Sequence, residues 1–314
     1  MITALAAAAT IAAIPFPTNI DFDPAGGMWV SSGSGSARSS DGVWYVPKGR
    51  HQARHVIRGV HTALGLRWHG GELYVSHVVT PSQGRVSAYK GFDGKRFKRR
   101  RTVLPSLRIG RHTVDSIIND GGRLLVGVGS VEDHTGPSGR VVSFGPDGKG
   151  TKVVATGLRN PYGMAFIPGT RRLLMTDNGR DDLGPSGPPD ELNLADLDAP
   201  SVPNFGFPTC PATCPGPVAE LPPHSSSDGL AVKAAPDGST IAYVAAFGSS
   251  FAANYTGHDL RKVVLRPNSA GGYDATVSVV ATFGQSDPLG AAIGPDGALY
   301  VTLLISGKVL RYDV

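Results

Sequence analysis

Cysteine is nearly absent: only Cys210 and Cys214 occur in 314 residues, both in the loop FPTCPATCPGP. A Cys-x3-Cys pair with no second pair cannot close a tetrahedral zinc site unaided, so it reads as a local disulfide, which implies maturation outside the cytoplasm. Long apolar runs are missing too. The most apolar stretch, ITALAAAATIAAI, is too short to span a bilayer and has no Lys or Arg ahead of it, making a poor secretory signal. Thr10 to Ile14 reads as a strand, with a signal peptide as the open alternative for this stretch, and no integral membrane segment is expected. Outside that stretch no segment sustains an apolar period of 3.6, which argues against a helical protein. There is no G-x-S-x-G elbow, and Ser225, Ser226, Ser227 and Asp228 lie too close to His224 along one turn to form a catalytic triad. Gly33-x-Gly35 lacks the strand-to-helix context of a dinucleotide site.

What is abundant is glycine and proline, 42 and 25 residues, beside a hydrophobic content of 40%. Many short strands joined by tight turns around a substantial core follow, an all-β class. A unit made of a small-apolar run, a turn and a strand with an aliphatic end recurs six times: TNIDFDPAGGMWV, LGLRWHGGELYV, VDSIINDGGRLLV, YGMAFIPGTRRLLM, DGLAVKAAPDGSTIAYV and LGAAIGPDGALYV. The copies end at Val30, Val75, Val126, Met175, Val244 and Val301, so their spacings are 45, 51, 49, 69 and 57 residues. One four-stranded propeller blade takes roughly 40–50 residues, and insertions map to one face. Each copy reads as the inner hairpin of a blade, with turns at sequences such as Pro146-Asp147-Gly148 and Pro295-Asp296-Gly297. Outer strands are expected at Gly84 to Tyr89, Gly139 to Phe144, Leu260 to Leu265 and Lys308 to Tyr312. The expected architecture is a six-bladed β-propeller of four-stranded blades over residues 1–314, one domain, closed by pairing the N-terminal strand with the C-terminal blade. Residues 31–42, SSGSGSARSSDG, read as a loop between the first two blades.

The net charge of +5 is concentrated in Lys95, Arg96, Lys98, Arg99, Arg100 and Arg101 around Phe97. On a strand these alternate between two faces, as expected of an outer strand whose charge blocks edge pairing, and no nucleic-acid partner is expected.

Residues 157–207 carry most of the chemistry. Arg159, Asn160, Asp177, Asn178, Arg180, Asp181, Asp182, Asp190, Glu191 and Asn193 flank two strands, Tyr162 to Ile167 and Arg172 to Thr176, joined at Pro168-Gly169, so they converge on one end of a hairpin. Carboxylates and the carbonyls freed by Gly and Pro are hard oxygen donors suited to Ca²⁺.

Four ordered motifs here, GLRNPYGMAF, TDNGRDDLG, PPDELN and NFGFP, resemble the soluble glucose/sorbosone dehydrogenase family, six-bladed propellers that bind pyrroloquinoline quinone (PQQ) and Ca²⁺ and oxidise aldose sugars. The resemblance implies a small-molecule sugar substrate oxidised at the anomeric carbon to the lactone, PQQ and Ca²⁺ as cofactors, an external electron acceptor that the sequence does not specify, and an extracytoplasmic, periplasmic or secreted, location. It implies Arg159, Asn160 and Lys233 as cofactor-binding residues. For calcium it implies oxygens at Gly179, Arg180, Glu191 and Phe205, and His112, in Gly110-Arg111-His112, as the base. The chain departs from the family pattern in Thr113 and Val114 after that histidine, in the lack of an early-blade glutamine near His61 to Leu64, and in Gln285-Ser286-Asp287-Pro288 where relatives supply arginine. Two other functions suit the same architecture, a non-catalytic propeller that binds carbohydrate or protein, and a calcium-dependent lactonase-like hydrolase.

Overall fold

All six hairpin ends, Val30, Val75, Val126, Met175, Val244 and Val301, are completely buried in a computed structural model that describes residues 5, 8–135, 138–210, 213–249 and 256–314. Each sits on the second strand of a four-stranded antiparallel sheet, and six such sheets form a six-bladed propeller. Blade one comprises Pro17–Phe22, Met28–Ser32, Gly42–Val46 and Arg54–Arg58. Blade two follows with His61–His69, Glu72–Thr80, Gln83–Phe92 and Phe97–Arg108. Blade three has Val114–Asp120, Arg123–Val128, Gly139–Phe144 and Lys152–Leu158. Blade four has Met164–Phe166, Arg172–Asp177, Asp190–Asp196 and Ala219–Leu221. Blade five has Ser227–Ala234, Thr240–Ala246, Asp259–Pro267 and Tyr273–Thr282. Blade six takes Pro288–Ile293, Leu299–Leu303 and Lys308–Tyr312 from the end of the chain and Ala9–Ala13 from its beginning. The closing pair matches the expected strand within a residue, Ala9 opposite Arg311 and Ala13 opposite Lys308. Residues 1–4 and 6–7, the start of the N-terminal apolar stretch, lie outside the described residues.

Alternation along each strand gives every blade two apolar faces, and each junction between blades holds one buried cluster. Trp29, Val43 and Ile57 of blade one meet Leu66, Leu73 and Val75 of blade two. Ala12, Ile20 and Val30 meet Tyr300 and Val309 at the closure. Burying such faces supplies the main driving force for the ring, about 25 cal/mol per Å² of apolar surface.

Three local expectations change. Residues 31–42 join the second and third strands of blade one rather than two blades, because Ser32 and Gly42 pair directly. Pro146-Asp147-Gly148 turns the outer hairpin of blade three, between Gly139–Phe144 and Lys152–Leu158, not an inner one. The first strand of blade four is shorter than Tyr162 to Ile167, since Tyr162 N–H donates to the Asn160 carbonyl at 2.7 Å in a turn that delays strand pairing until Met164.

The basic run lies on the outermost strand of blade two. Phe97 packs on Trp29 and Tyr89, while Arg101 reaches Glu72, the Tyr74 hydroxyl and the Pro146 carbonyl. The only helix among the described residues is the single turn Asp181–Leu183, and no helix there is long and apolar enough to cross a membrane.

Candidate functional site

The inner strands surround an axial channel. One end is a cavity of about 310 Å³ lined by the middles and far ends of those strands, among them Asn19 and Ser116, which bond side chain to side chain at 2.8 Å. The other end, where the inner strands begin, opens into a cavity of about 450 Å³ to which all six blades contribute, including Ser34, Thr62, His112, Arg159, Asp228 and Leu289.

Arg159 organises this end. It is 2% exposed; Nε donates to Asp133 at 2.8 Å, one terminal nitrogen to the Gly179 carbonyl at 2.9 Å, and the other to Asp181 at 2.9 Å. Its own backbone N–H and that of Asn160 are held by the Asp177 carboxylate at 3.0 and 2.6 Å, so the Arg-Asn dipeptide is clamped across the mouth of the blade-four hairpin. Asn160 in turn donates to the Asn178 side chain at 2.7 Å. Asp190 accepts from the backbone of Gly179 and Ser227 and from the Ser225 hydroxyl, which ties the long loop 178–189 to blade five. His224 pins the same loop, contacting Asp181 at 3.3 Å and the Gly184 carbonyl at 2.9 Å, a structural role. Gly163 is required here: any β-carbon would overlap the carbonyl oxygen of Asp228 in the neighbouring inner strand.

His112 lines the cavity; its Nε2 is buried, 3.9 Å from Asp133, and has no hydrogen-bond partner among the described residues. Burial, reinforced by the nearby Arg159 charge, drives its pKa down to about 3, so the ring is neutral. Burial would push Asp133 up, but the bond and charge of Arg159, with Arg111, outweigh it and keep this carboxylate ionised. Arg111 pairs with Asp133 and, at 3.6 Å, with Asp181, and is the more accessible of the two guanidiniums.

Three further acids lie at or behind the inner end of the cavity. Asp115 is 1% exposed and Asp228 is 4% exposed. Burial raises Asp115 well above the usual carboxylate range, helped by Asp228; it raises Asp228 to about 8 against a bond from Ser226, and Asp177 to about 7 against backbone bonds from Arg159 and Asn160. The Tyr162 hydroxyl lies among them, buried and without a hydrogen-bond partner among the described residues, as is Asp115 Oδ2.

Of the residues implied by resemblance, His112, Arg159 and Asn160 share the large cavity. Gly179, Arg180, Glu191 and Phe205 share an adjoining one of about 250 Å³ with Asp177. Lys233 joins neither: it lies five residues beyond Asp228 on the same strand, ~16 Å at strand rise, and its ammonium donates to the Val314 carbonyl at 2.8 Å. Lys233 thus lies apart from the cavity that holds His112, Arg159 and Asn160, with its ammonium engaged by the chain's own carbonyl. Asp287, set where relatives have arginine, is outside the cavity and pairs with His258 at 2.9 Å. Sequence reasoning did not single out Asp133, Tyr162 or Asp228 for the site. Asp133 carries a weak positional signal, since it follows the second strand of blade three as Asn178 follows that of blade four.

The donor set fits a flat polycarboxylate quinone. Arg159 spends three of its five N–H groups on the protein and Arg111 lies at the surface of the cavity. Burial raises Asp115 and Asp228 toward the neutral form, which weakens their repulsion of an anion. In the adjoining cavity the donor set is hard oxygen, of the kind that suits Ca²⁺: the side chains of Asp177, Asn178 and Glu191 beside the main chain of Gly179, Arg180 and Phe205. Among the described residues no three His, Cys, Asp or Glu side chains are disposed to hold a metal, so calcium there would rest on amide and main-chain oxygens as well.

Cys210 and Cys214 form a disulfide in the loop bordering this second cavity.

No protein-family profile matches the chain. It is 27% identical over 209 residues to an uncharacterised protein from Borreliella burgdorferi, covering 61% of this chain and about half, 51%, of that one. Among solved structures it is similar to the holo form of a pyranose dehydrogenase PQQ domain from Coprinopsis cinerea, with a TM-score of 0.77 and 16% identity over 99% of this chain and 96% of that one. It is also similar to an oxidoreductase described as a glucose dehydrogenase from Thermus thermophilus, with a TM-score of 0.77 and 23% identity over 98% and 99%. A third likeness is to the apo form of the soluble aldose sugar dehydrogenase of Escherichia coli, with a TM-score of 0.71 and 16% identity over 98% and 99%. At these identities the likeness is one of fold, and the fold is that of the propellers the motifs resemble.

Proposed function

We propose that this chain is a sugar oxidoreductase that takes a PQQ-type quinone in the axial cavity, uses Ca²⁺, and oxidises an aldose at the anomeric carbon to the lactone. The observation that carries the reading is the presence in one cavity of a neutral imidazole, His112, whose Nε2 has no hydrogen-bond partner among the described residues, and of the clamped Arg159-Asn160 pair. The quinone, when bound, supplies the hydride acceptor, and calcium supplies Lewis acidity. Arg111 and Arg159 hold ligand carboxylates with charge-assisted bonds, and Asn160 adds a polar contact at the same wall. His112 Nε2 removes the proton of the anomeric hydroxyl, and Asp133, ionised nearby, favours the imidazolium that forms. An external acceptor of unspecified kind takes the two electrons away. The disulfide supports an extracytoplasmic location.

A calcium-dependent hydrolase gains some support from the acids of blades three and five meeting at the axis, but such an enzyme needs side-chain carboxylates gathered around the ion, and no three are so disposed among the described residues. The deciding experiment titrates the purified protein with PQQ and Ca²⁺, following quinone absorbance and then dye reduction with an aldose. Uptake at micromolar PQQ followed by reduction is the expected result. Absence of uptake rejects the quinone reading and leaves a propeller that only binds carbohydrate or protein.

A further inference from the structure

Two residues that line the axial cavity, Tyr162 and Asp115, each carry a polar atom, Oη and Oδ2, that is buried and without a hydrogen-bond partner among the described residues. Folded proteins seldom leave such groups unpaired, because each forfeits its bonds to water with no return. The two belong to adjacent blades: Asp115 begins the inner strand of blade three, and Tyr162 precedes that of blade four. They are near enough to influence one another's ionisation, yet do not bond to each other. Tyr162 is held in place by the Asn160-Pro161 turn, and Asp115 by its carbonyl, which accepts from Ser76 at 2.6 Å. Their chemistry is matched, since a phenol and a neutral carboxyl both offer an O–H.

Resting on the quinone reading, we propose that Tyr162 and Asp115 form a second anchoring point of the axial cavity, donating hydrogen bonds to a carboxylate or carbonyl oxygen of the flat anionic ligand. A ligand gripped by the Arg111 and Arg159 guanidiniums alone would be fixed by charge without a fixed tilt; a pair of neutral donors from two other positions sets its orientation. The groups facing Asp115 are Asp228 and Asp177, both acids raised by burial, Tyr162, and the Thr113 hydroxyl at 3.5 Å. Those facing Tyr162 are Asp228 and Asp115. No cation among the described residues bonds to either atom, so both stay neutral donors rather than becoming an anionic pair.

Three conservative variants test this: Tyr162→Phe removes one hydroxyl, Asp115→Leu removes the carboxyl at similar volume, and Asp115→Asn keeps a donor. PQQ with Ca²⁺ is titrated into each by quinone absorbance, and the melting temperature of each unliganded protein is measured. The expected result is about tenfold weaker PQQ binding by Tyr162→Phe and by Asp115→Leu, with Asp115→Asn within about threefold of the parent. Their unliganded melting temperatures should equal or exceed that of the parent, because an unpaired buried group has been removed. Parent-like PQQ affinity in both Tyr162→Phe and Asp115→Leu overturns the anchoring role. If the parent protein takes up no PQQ, the quinone reading fails and the melting temperatures decide the rest. Values below the parent then show that both groups are satisfied within the protein and overturn the inference, whereas values at or above it keep the pair as an unfilled anchor for another acceptor-bearing ligand.

Discussion

His112 and Asp133 face each other at 3.9 Å, Nε2 to Oδ1, too far to bond, because Asp133 is already engaged by Arg159 and Arg111. Burial, reinforced by the Arg159 charge, keeps the imidazole neutral beside a carboxylate that the two guanidiniums keep ionised. Removing the base by His112→Ala should leave PQQ affinity within a few-fold and lower turnover by ~10²-fold or more. Steady-state kinetics beside a binding titration checks it, and unchanged turnover in an active enzyme removes the role.

Buried and exposed ion pairs should separate sharply. Arg159→Met removes the buried guanidinium and leaves Asp133 and Asp181 to the more exposed Arg111, and should cost about 3 kcal/mol. Lys149→Met breaks a solvent-exposed contact to Asp147 at 3.9 Å and should change stability by under about 1 kcal/mol. Urea unfolding of both variants makes the comparison; equal losses would contradict the assignment of Arg159 as the hub.

Burial raises Asp228 to about 8 from 3.8, so the folded protein retains a proton that the unfolded chain releases. The stability from this source is complete below about pH 4 and declines as pH rises toward 8, with a slope of at most about 1.4 kcal/mol per pH unit. Unfolding free energies measured between pH 5 and 8 in calcium-free buffer should fall with pH, and Asp228→Asn should flatten the profile. An Asp228→Asn profile no flatter than that of the parent above pH 7, where the histidines are neutral in both states, would show that Asp228 is not held protonated.

Gly163 lies where the inner strands of blades four and five approach through backbone atoms, so Gly163→Ala forces a β-carbon against the Asp228 carbonyl. A loss of about 1–3 kcal/mol is expected. Gly169→Ala is a control of a different kind, since nothing lies near that position and only its left-handed backbone, φ 76°, is strained. Its expected loss is about 1 kcal/mol. Thermal unfolding of the two variants ranks them, and the reverse order would refute the close approach.

The propeller was legible because each blade repeats one physical demand, an alternating hairpin that must bury a residue such as Val126 or Val244 between neighbours. Arg159, Asn160 and His112 were legible because they sit beside recognisable hairpins, at positions that can only be the rim. The separation of Lys233 from the cavity of His112 and Arg159 was not legible, because alternation tells which face a strand residue occupies but not how far along the strand the cavity reaches. Asp133 escaped because its contact with Arg159 joins residues from different blades, and its loop has no periodicity to betray it. Asp115 was visible as a residue near His112, but its unpaired oxygen arises from packing against blades two and four, which no local pattern encodes.

Closure through Ala9–Ala13 and Lys308–Tyr312 also sets a timetable. The earlier strand must wait for a partner that comes about 300 residues later, and joining segments so far apart carries a loop-closure entropy of about 5 kcal/mol. The five blades built from consecutive chain can form before that moment, whereas the cavity that draws a wall from every blade cannot. Ligand uptake is therefore a clock for the final event of folding: during refolding it should rise with the last kinetic phase and lag behind the appearance of β-structure.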